Sequence, residues 1–130
     1  MYFKNYEIWF VAGTQNLYGD SALVEIESNS AAISKSLNSN KSIITNIISK
    51  GIVKTSQEVK NLFIEANLNS NCIGIICWMH TFSPSRMWID GLKALSKPLL
   101  HLHTQYNKHI PWDSIDMNYM NVHQSAHGDR

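Results

Sequence analysis

Apolar residues fall along this chain in two alternating kinds of run, short continuous blocks and longer stretches with helical spacing. Tyr6-Glu-Ile-Trp-Phe-Val11 is dense in aromatic and β-branched side chains and runs into Gly13, which predicts a buried strand opening into a loop over 13–19. Leu23, Ile26, Ile33 and Leu37 share one face of a helix over 22–37, and the apolar positions of 43–48 predict a second strand. Thr55-Ser-Gln-Glu58 has the spacing of a capping box, and Val59, Leu62, Phe63 and Ala66 form the stripe of the helix behind it. The continuous run over 73–78 predicts a strand covered on both faces. Ser83 as cap and Pro84 in the first turn predict a third helix that turns Trp88, Leu92 and Leu95 inward. A fourth strand is expected over 99–104. A last helix is expected from Asp113, with Asp116 completing a box-like pair and Trp112 against Met117 as a hydrophobic staple.

Strands alternating with helices of ten or more residues predict an α/β fold, a Rossmann-like or flavodoxin-like open parallel sheet with helices on both faces. Such a sheet has right-handed crossovers and carries its binding loops at the carboxyl ends of the strands. At 130 residues the chain is expected to be one domain with one core. With 44% hydrophobic and 16% charged residues it is no disordered or low-complexity chain. A formal charge of +1 provides no basic stripe, which argues against nucleic acid or an acidic membrane surface as partner. The longest apolar run, 72–79, falls far short of the ~20 residues that span a bilayer. Cys72 and Cys77 are too few and too close for a disulfide framework, so a reduced, cytoplasmic setting is expected. The final residues, His123-Gln-Ser-Ala-His-Gly-Asp-Arg130, are dense in functional residue types, and the expectation is that the chain is incomplete there.

The first loop, Gly13-Thr-Gln-Asn-Leu-Tyr-Gly19, has its glycines six apart and lacks both Gly-x-Gly-x-x-Gly and Gly-Lys-Ser/Thr. It therefore matches neither a dinucleotide turn nor a phosphate loop. The lack of a Gly, Ser and Thr run after the strand also disfavours a flavodoxin-like phosphate cofactor. What the loop does offer is Thr14, Gln15, Asn16 and Tyr18, whose amides and hydroxyls suit a neutral polyol; the competing reading is a polar turn that satisfies its own backbone. All six histidines lie between His80 and His127, and all five glutamates between Glu7 and Glu65. His80 is expected to hydrogen-bond to backbone in a capped turn. His101 and His103 are two apart on one strand face, as in some zinc sites, but two ligands are not a site, and His101 is expected to be packed. No Gly-x-Ser-x-Gly elbow occurs, and Cys77 in a buried strand reads as a small hydrophobe. The residues thus show binding groups without a catalytic set, and no metal site within the chain is expected.

Four segments, read together, resemble the amino-terminal domain of bacterial L-arabinose isomerases. They are Tyr6-Glu-Ile-Trp-Phe-Val-Ala-Gly-Thr-Gln-Asn-Leu-Tyr-Gly19, Trp78-Met-His-Thr-Phe-Ser-Pro-Ser-Arg-Met-Trp88, Lys97-Pro-Leu-Leu-His-Leu-His-Thr-Gln105, and Pro111-Trp-Asp-Ser-Ile-Asp-Met-Asn-Tyr-Met-Asn121 continuing to Gln124-Ser-Ala-His-Gly-Asp-Arg130. The resemblance implies interconversion of L-arabinose and L-ribulose, with a divalent ion, usually manganese, held by two Glu and two His of later domains absent from this chain. That reaction moves hydrogen between C1 and C2, using a Lewis acid on O1 and O2 and carboxylates for the proton. Onto this sequence the resemblance carries substrate-binding roles for Gln15, Leu17, Tyr18, Gln124 and His127, on a face that in the family reaches a neighbouring identical subunit. Family members often have Gln in place of His101 and Asn in place of His123, which counts against metal ligation by His101. The resemblance further implies a homo-oligomer in which this part alone is inactive. A different reading of the same loops is a stand-alone, non-catalytic sugar-binding or subunit-interaction module.

Overall fold

The computed structural model describes residues 3–82 and 85–123. Four strands, β1 (Glu7–Gly13), β2 (Asn46–Val53), β3 (Cys72–Met79) and β4 (Leu99–Leu102), form one all-parallel sheet in the order β2-β1-β3-β4. Helix α1 (Asp20–Ser39) joins β1 to β2, and α2 (Ser56–Leu68) joins β2 to β3. A 3-10 turn at Ser85–Trp88 and the short α3 (Ile89–Ala94) lead to β4, and α4 (Met117–Val122) follows it. The predicted open parallel α/β sheet is therefore the fold.

Side-chain alternation in β1 and β3 builds a core on each face of this sheet. Trp9, Val11, Ile75, Cys77 and Met79 pack with Val59, Leu62, Phe63 and Ala66 of α2 and with Trp88. Phe10, Ala12, Ile76 and Trp78 pack on the other face with Ile33 and Leu37 of α1. Helices thus cover both faces, and the central strands are continuous apolar runs for that reason.

Strand β2 begins three residues later and ends five residues later than the hydrophobic pattern predicts. Ile43 and Ile44 lie in the turn that enters it, with Ile43 half-buried against the α1 core. The polar stretch after them belongs to the strand because Gly51, at φ 74°, inserts one extra residue opposite β1. Phe10 pairs with Ser49 but Ala12 with Ile52. The odd position Ile47 accordingly faces one core while the odd position Val53 faces the other. An alternation rule applied across Gly51 cannot follow that switch.

The last two helices also depart from expectation, the third in the facing of Leu92 and the fourth in its start. The Ser83 and Pro84 cap of the third helix lies outside the described residues; beyond it Trp88 is buried and Leu95 half-buried, but Leu92, on the short α3, is exposed rather than turned inward. Helix α4 is capped by Asp116, whose side chain accepts from the Tyr119 N–H at 2.7 Å, so Asp113 stays in a preceding turn. Trp112 and Met117 are 76% and 73% exposed and make no staple. Strand β4 is shorter than expected, leaving His103 beyond its end. The Thr55 cap of α2 is as predicted, Thr55 Oγ1 accepting from Glu58 N at 3.2 Å, while Glu58 Oε2 reaches one residue beyond the N-cap and accepts from Lys54 N at 2.6 Å.

Candidate functional site

The strand order reverses between β1 and β3: the chain leaves β1 toward β2 on one side and returns past it to β3 on the other. Open α/β sheets bind ligands at such a switch point, outside the carboxyl ends of the strands. Here those ends are the paired residues Gly13 and Met79, from which the first loop and the segment beginning at His80 depart side by side. The two are fastened at once. His80 N–H donates to Gly13 O at 3.3 Å, and the Thr81 hydroxyl donates to Thr14 Oγ1 at 2.9 Å, both threonines being fully buried. Thr14 is therefore consumed in structure and is not available to a polyol.

The next residues of the loop remain at the surface but are held. Asn16–Tyr18 forms a 3-10 turn that ends at Gly19 with φ 83°. Gln15 Nε2 donates to the carbonyl oxygen of Phe82 at 2.9 Å, and the Tyr18 hydroxyl donates to the same oxygen at 2.6 Å. One backbone carbonyl thus clasps two of the side chains singled out in the sequence, while Leu17 between them projects 70% exposed. Gln15, Asn16 and Leu17 border an open cleft of about 570 Å³ completed by Lys54, Thr55 and Arg86. Tyr18 borders a second, of about 350 Å³, with Glu25, Asp116, Tyr119 and His123. Gln124 and His127 lie outside the described residues.

Behind this rim stands a polar cluster that sequence reasoning did not assemble. His80 is buried, its Nδ1 2.8 Å from Val122 O in α4 and its Nε2 2.9 Å from the side-chain amide of Asn29 in α1. A carbonyl oxygen can only accept, so Nδ1 carries the proton and Nε2 accepts from Asn29 Nδ2. Burial, reinforced by nearby His123, pulls the His80 pKa below its ordinary value, against the raising effect of the Val122 bond. The backbone bond expected for His80 is present; Asn29 is the partner the sequence reading missed. Its only signal was a polar residue three positions after Ile26 on the inward stripe of α1.

Glutamate and histidine also meet, contrary to their separation along the chain: Glu25 of α1 lies 3.7 Å from His123 Nε2. His123 in turn stacks near Tyr119, with ring centroids 4.4 Å apart, and its Nδ1 is 3.3 Å from the Asn107 side chain. His101 is half-buried in β4, with His103 exposed and its ring 6.2 Å away. Cys77 is buried in the α2-side core.

These donors do not fit a manganese site. Both ring nitrogens of His80 are engaged, and His123 faces a single carboxylate. No three His, Cys, Asp or Glu side chains converge among the described residues. The arrangement can orient hydroxyl groups at a rim.

Residues 2–130 match the family model for the L-arabinose isomerase N-terminal domain. The chain belongs to this family. It is 54% identical over 127 residues to an L-arabinose isomerase of Geobacillus thermodenitrificans, 98% of this chain and 26% of that protein. The L-arabinose isomerase of Phocaeicola vulgatus is 52% identical over 128 residues, 98% of this chain and 25% of its own length. That of Thermotoga petrophila is 54% identical over 127 residues, covering 98% and 26% respectively. The chain spans about a quarter of the length of these curated relatives. Membership covers the clasped loop, the His80 segment and α4 alike. No helix among the described residues is long and apolar enough to cross a membrane.

Proposed function

We propose that this chain is the substrate-contacting, amino-terminal part of an L-arabinose isomerase, acting in the cytoplasm on L-arabinose and L-ribulose. Gln15, Leu17 and Tyr18, together with Gln124 and His127, contact the sugar. Beyond the names of the relatives, the observation that carries this reading is the Phe82 carbonyl holding both Gln15 Nε2 and Tyr18 Oη at the switch point. A clasped loop has already lost the freedom that binding would otherwise remove, so its polar groups meet a polyol with little further ordering. Gln15 still offers its amide oxygen to a sugar hydroxyl, and Leu17 offers an apolar surface beside it.

The reaction's metal and its carboxylates belong, on this reading, to later domains. The ligands of the manganese ion implied by the family resemblance lie there too, and the part of this chain is orientation of the sugar hydroxyls. The rim faces an active site of a neighbouring identical subunit, which suits an exposed Leu17 on an otherwise ordered loop. The isolated chain is then inactive. A crystal structure of a full-length isomerase carrying this chain, with L-arabinose bound, tests the reading: Gln15, Leu17 and Tyr18 are expected within contact distance of the sugar. A sugar seated with none of them overturns it. Calorimetric binding of L-arabinose by the isolated chain without metal would instead favour the stand-alone sugar-binding module.

A further inference from the structure

Every residue of the segment 80–82 is tied to the first loop, to a helix, or to both. His80 reaches α1 through Asn29 and α4 through Val122 O, at 2.9 and 2.8 Å. Thr81 is bonded to Thr14 at 2.9 Å. The Phe82 N–H donates to Asn121 O of α4 at 2.9 Å, while the Phe82 carbonyl receives Gln15 and Tyr18. The His80 imidazole joins two helices while 3% exposed, with one neutral tautomer fitting both partners. We propose that His80 is a positioning residue for substrate binding: held between Asn29 and the Val122 carbonyl, it fixes segment 80–82 so that the Phe82 carbonyl keeps Gln15 and Tyr18 aligned for the sugar.

His80 does not touch the sugar, and its role rests on the reading of Gln15 and Tyr18 as substrate contacts. Because the bond to α4 comes from Nδ1, the side chain that can stand in for it is one whose amide nitrogen lies at the Nδ1 position. Asparagine places it there; glutamine places it near Nε2. The two variants therefore separate positioning from simple filling of space.

The test is steady-state kinetics on L-arabinose in a full-length isomerase carrying this chain, with unfolding midpoints measured on the same preparations. His80→Gln is expected to raise KM on the order of tenfold with kcat within about twofold, the signature of lost uniform binding, and His80→Asn to recover most of the loss. Should His80→Gln not fold, Asn29→Ala, which removes only the Nε2 donor from a helix position where alanine is favourable, is expected to raise KM severalfold. Equal kinetics in the Asn and Gln variants, or an unchanged KM in His80→Gln or Asn29→Ala beside a raised KM in Gln15→Ala, overturns the positioning role alone. An unchanged KM in Gln15→Ala overturns the substrate-contact reading beneath it.

Discussion

Gly13 closes β1 at the switch point, and adding one methyl group there tests how tightly the rim is packed. A Cβ built on Gly13 would lie 2.5 Å from Trp88 Cζ2 and 2.6 Å from Met79 Sδ. Carbon atoms in favourable contact sit about 3.5–4.0 Å apart, so the overlap is on the order of 1 Å. The Met79 thioether can turn aside. The Trp88 indole has less room: it is 4% exposed and packs against the Phe63 ring at a centroid distance of 6.0 Å. Overpacking of this kind costs about 1–3 kcal/mol. Restricting the unfolded chain by a Gly→Ala change returns up to about 1 kcal/mol, leaving a net loss of about 1–2 kcal/mol for Gly13→Ala. In urea unfolding followed by tryptophan fluorescence the midpoint should fall at unchanged slope. Combining Gly13→Ala with Trp88→Leu should show a favourable coupling of about 1 kcal/mol or more, because the second change removes the atoms that clash. A midpoint equal to or above the parent, or purely additive losses, would refute the claim that the indole presses on the end of β1.

Three further outcomes are expected. Gly51→Ala should lose about 1–2 kcal/mol, since φ 74° is the left-handed region while the nearest atom to a new Cβ, Glu27 Oε1, is 3.6 Å away; Gly51→Asn should lose less, and equal losses would contradict a backbone cause. Asp116→Ala, which removes the 2.7 Å bond to Tyr119 N–H, should cost α4 about 1 kcal/mol, visible as faster amide exchange at Tyr119. His80 also sets a pH dependence: burial lowers its folded pKa below the ordinary 6.5, so its stabilising neutral form is fully present above that value and lost as pH falls through the folded one. Denaturation midpoints measured downward from neutral pH should therefore drop less in His80→Asn than in the parent, and an identical decline in the two proteins would count against it.

The elements legible in the sequence are those whose signals are local. The Thr55–Glu58 box and the stripe behind it mark α2 because capping and periodicity both act within one or two helical turns. The run over 73–78 marks β3 because both of its faces are covered. Where two local signals competed, structure was needed. Asp113 and Asp116 are both capable caps, and only Asp116 bonds ahead to Tyr119. Ile43 and Ile44 look like strand, yet the extra residue at Gly51 lets the polar stretch after them pair with β1. The site divides in the same way. Gln15 and Tyr18 were legible from their residue types and Leu17 from the family resemblance alone, but the anchor shared by Gln15 and Tyr18, a backbone carbonyl 64 or more residues away, has no side-chain signature. Asn29 and His80 are 51 residues apart, and nothing at either position names the other.

The central question is whether the clasped loop touches the sugar. The most direct measurement is KM for L-arabinose in a full-length isomerase carrying this chain, parent against Gln15→Ala, with the unfolding midpoint followed in parallel. Gln15 is half-exposed and contributes one surface hydrogen bond, so folding should change by no more than about 1 kcal/mol. If Gln15 touches the sugar, KM rises on the order of tenfold at a nearly unchanged midpoint. An unchanged KM at the same midpoint would contradict that contact.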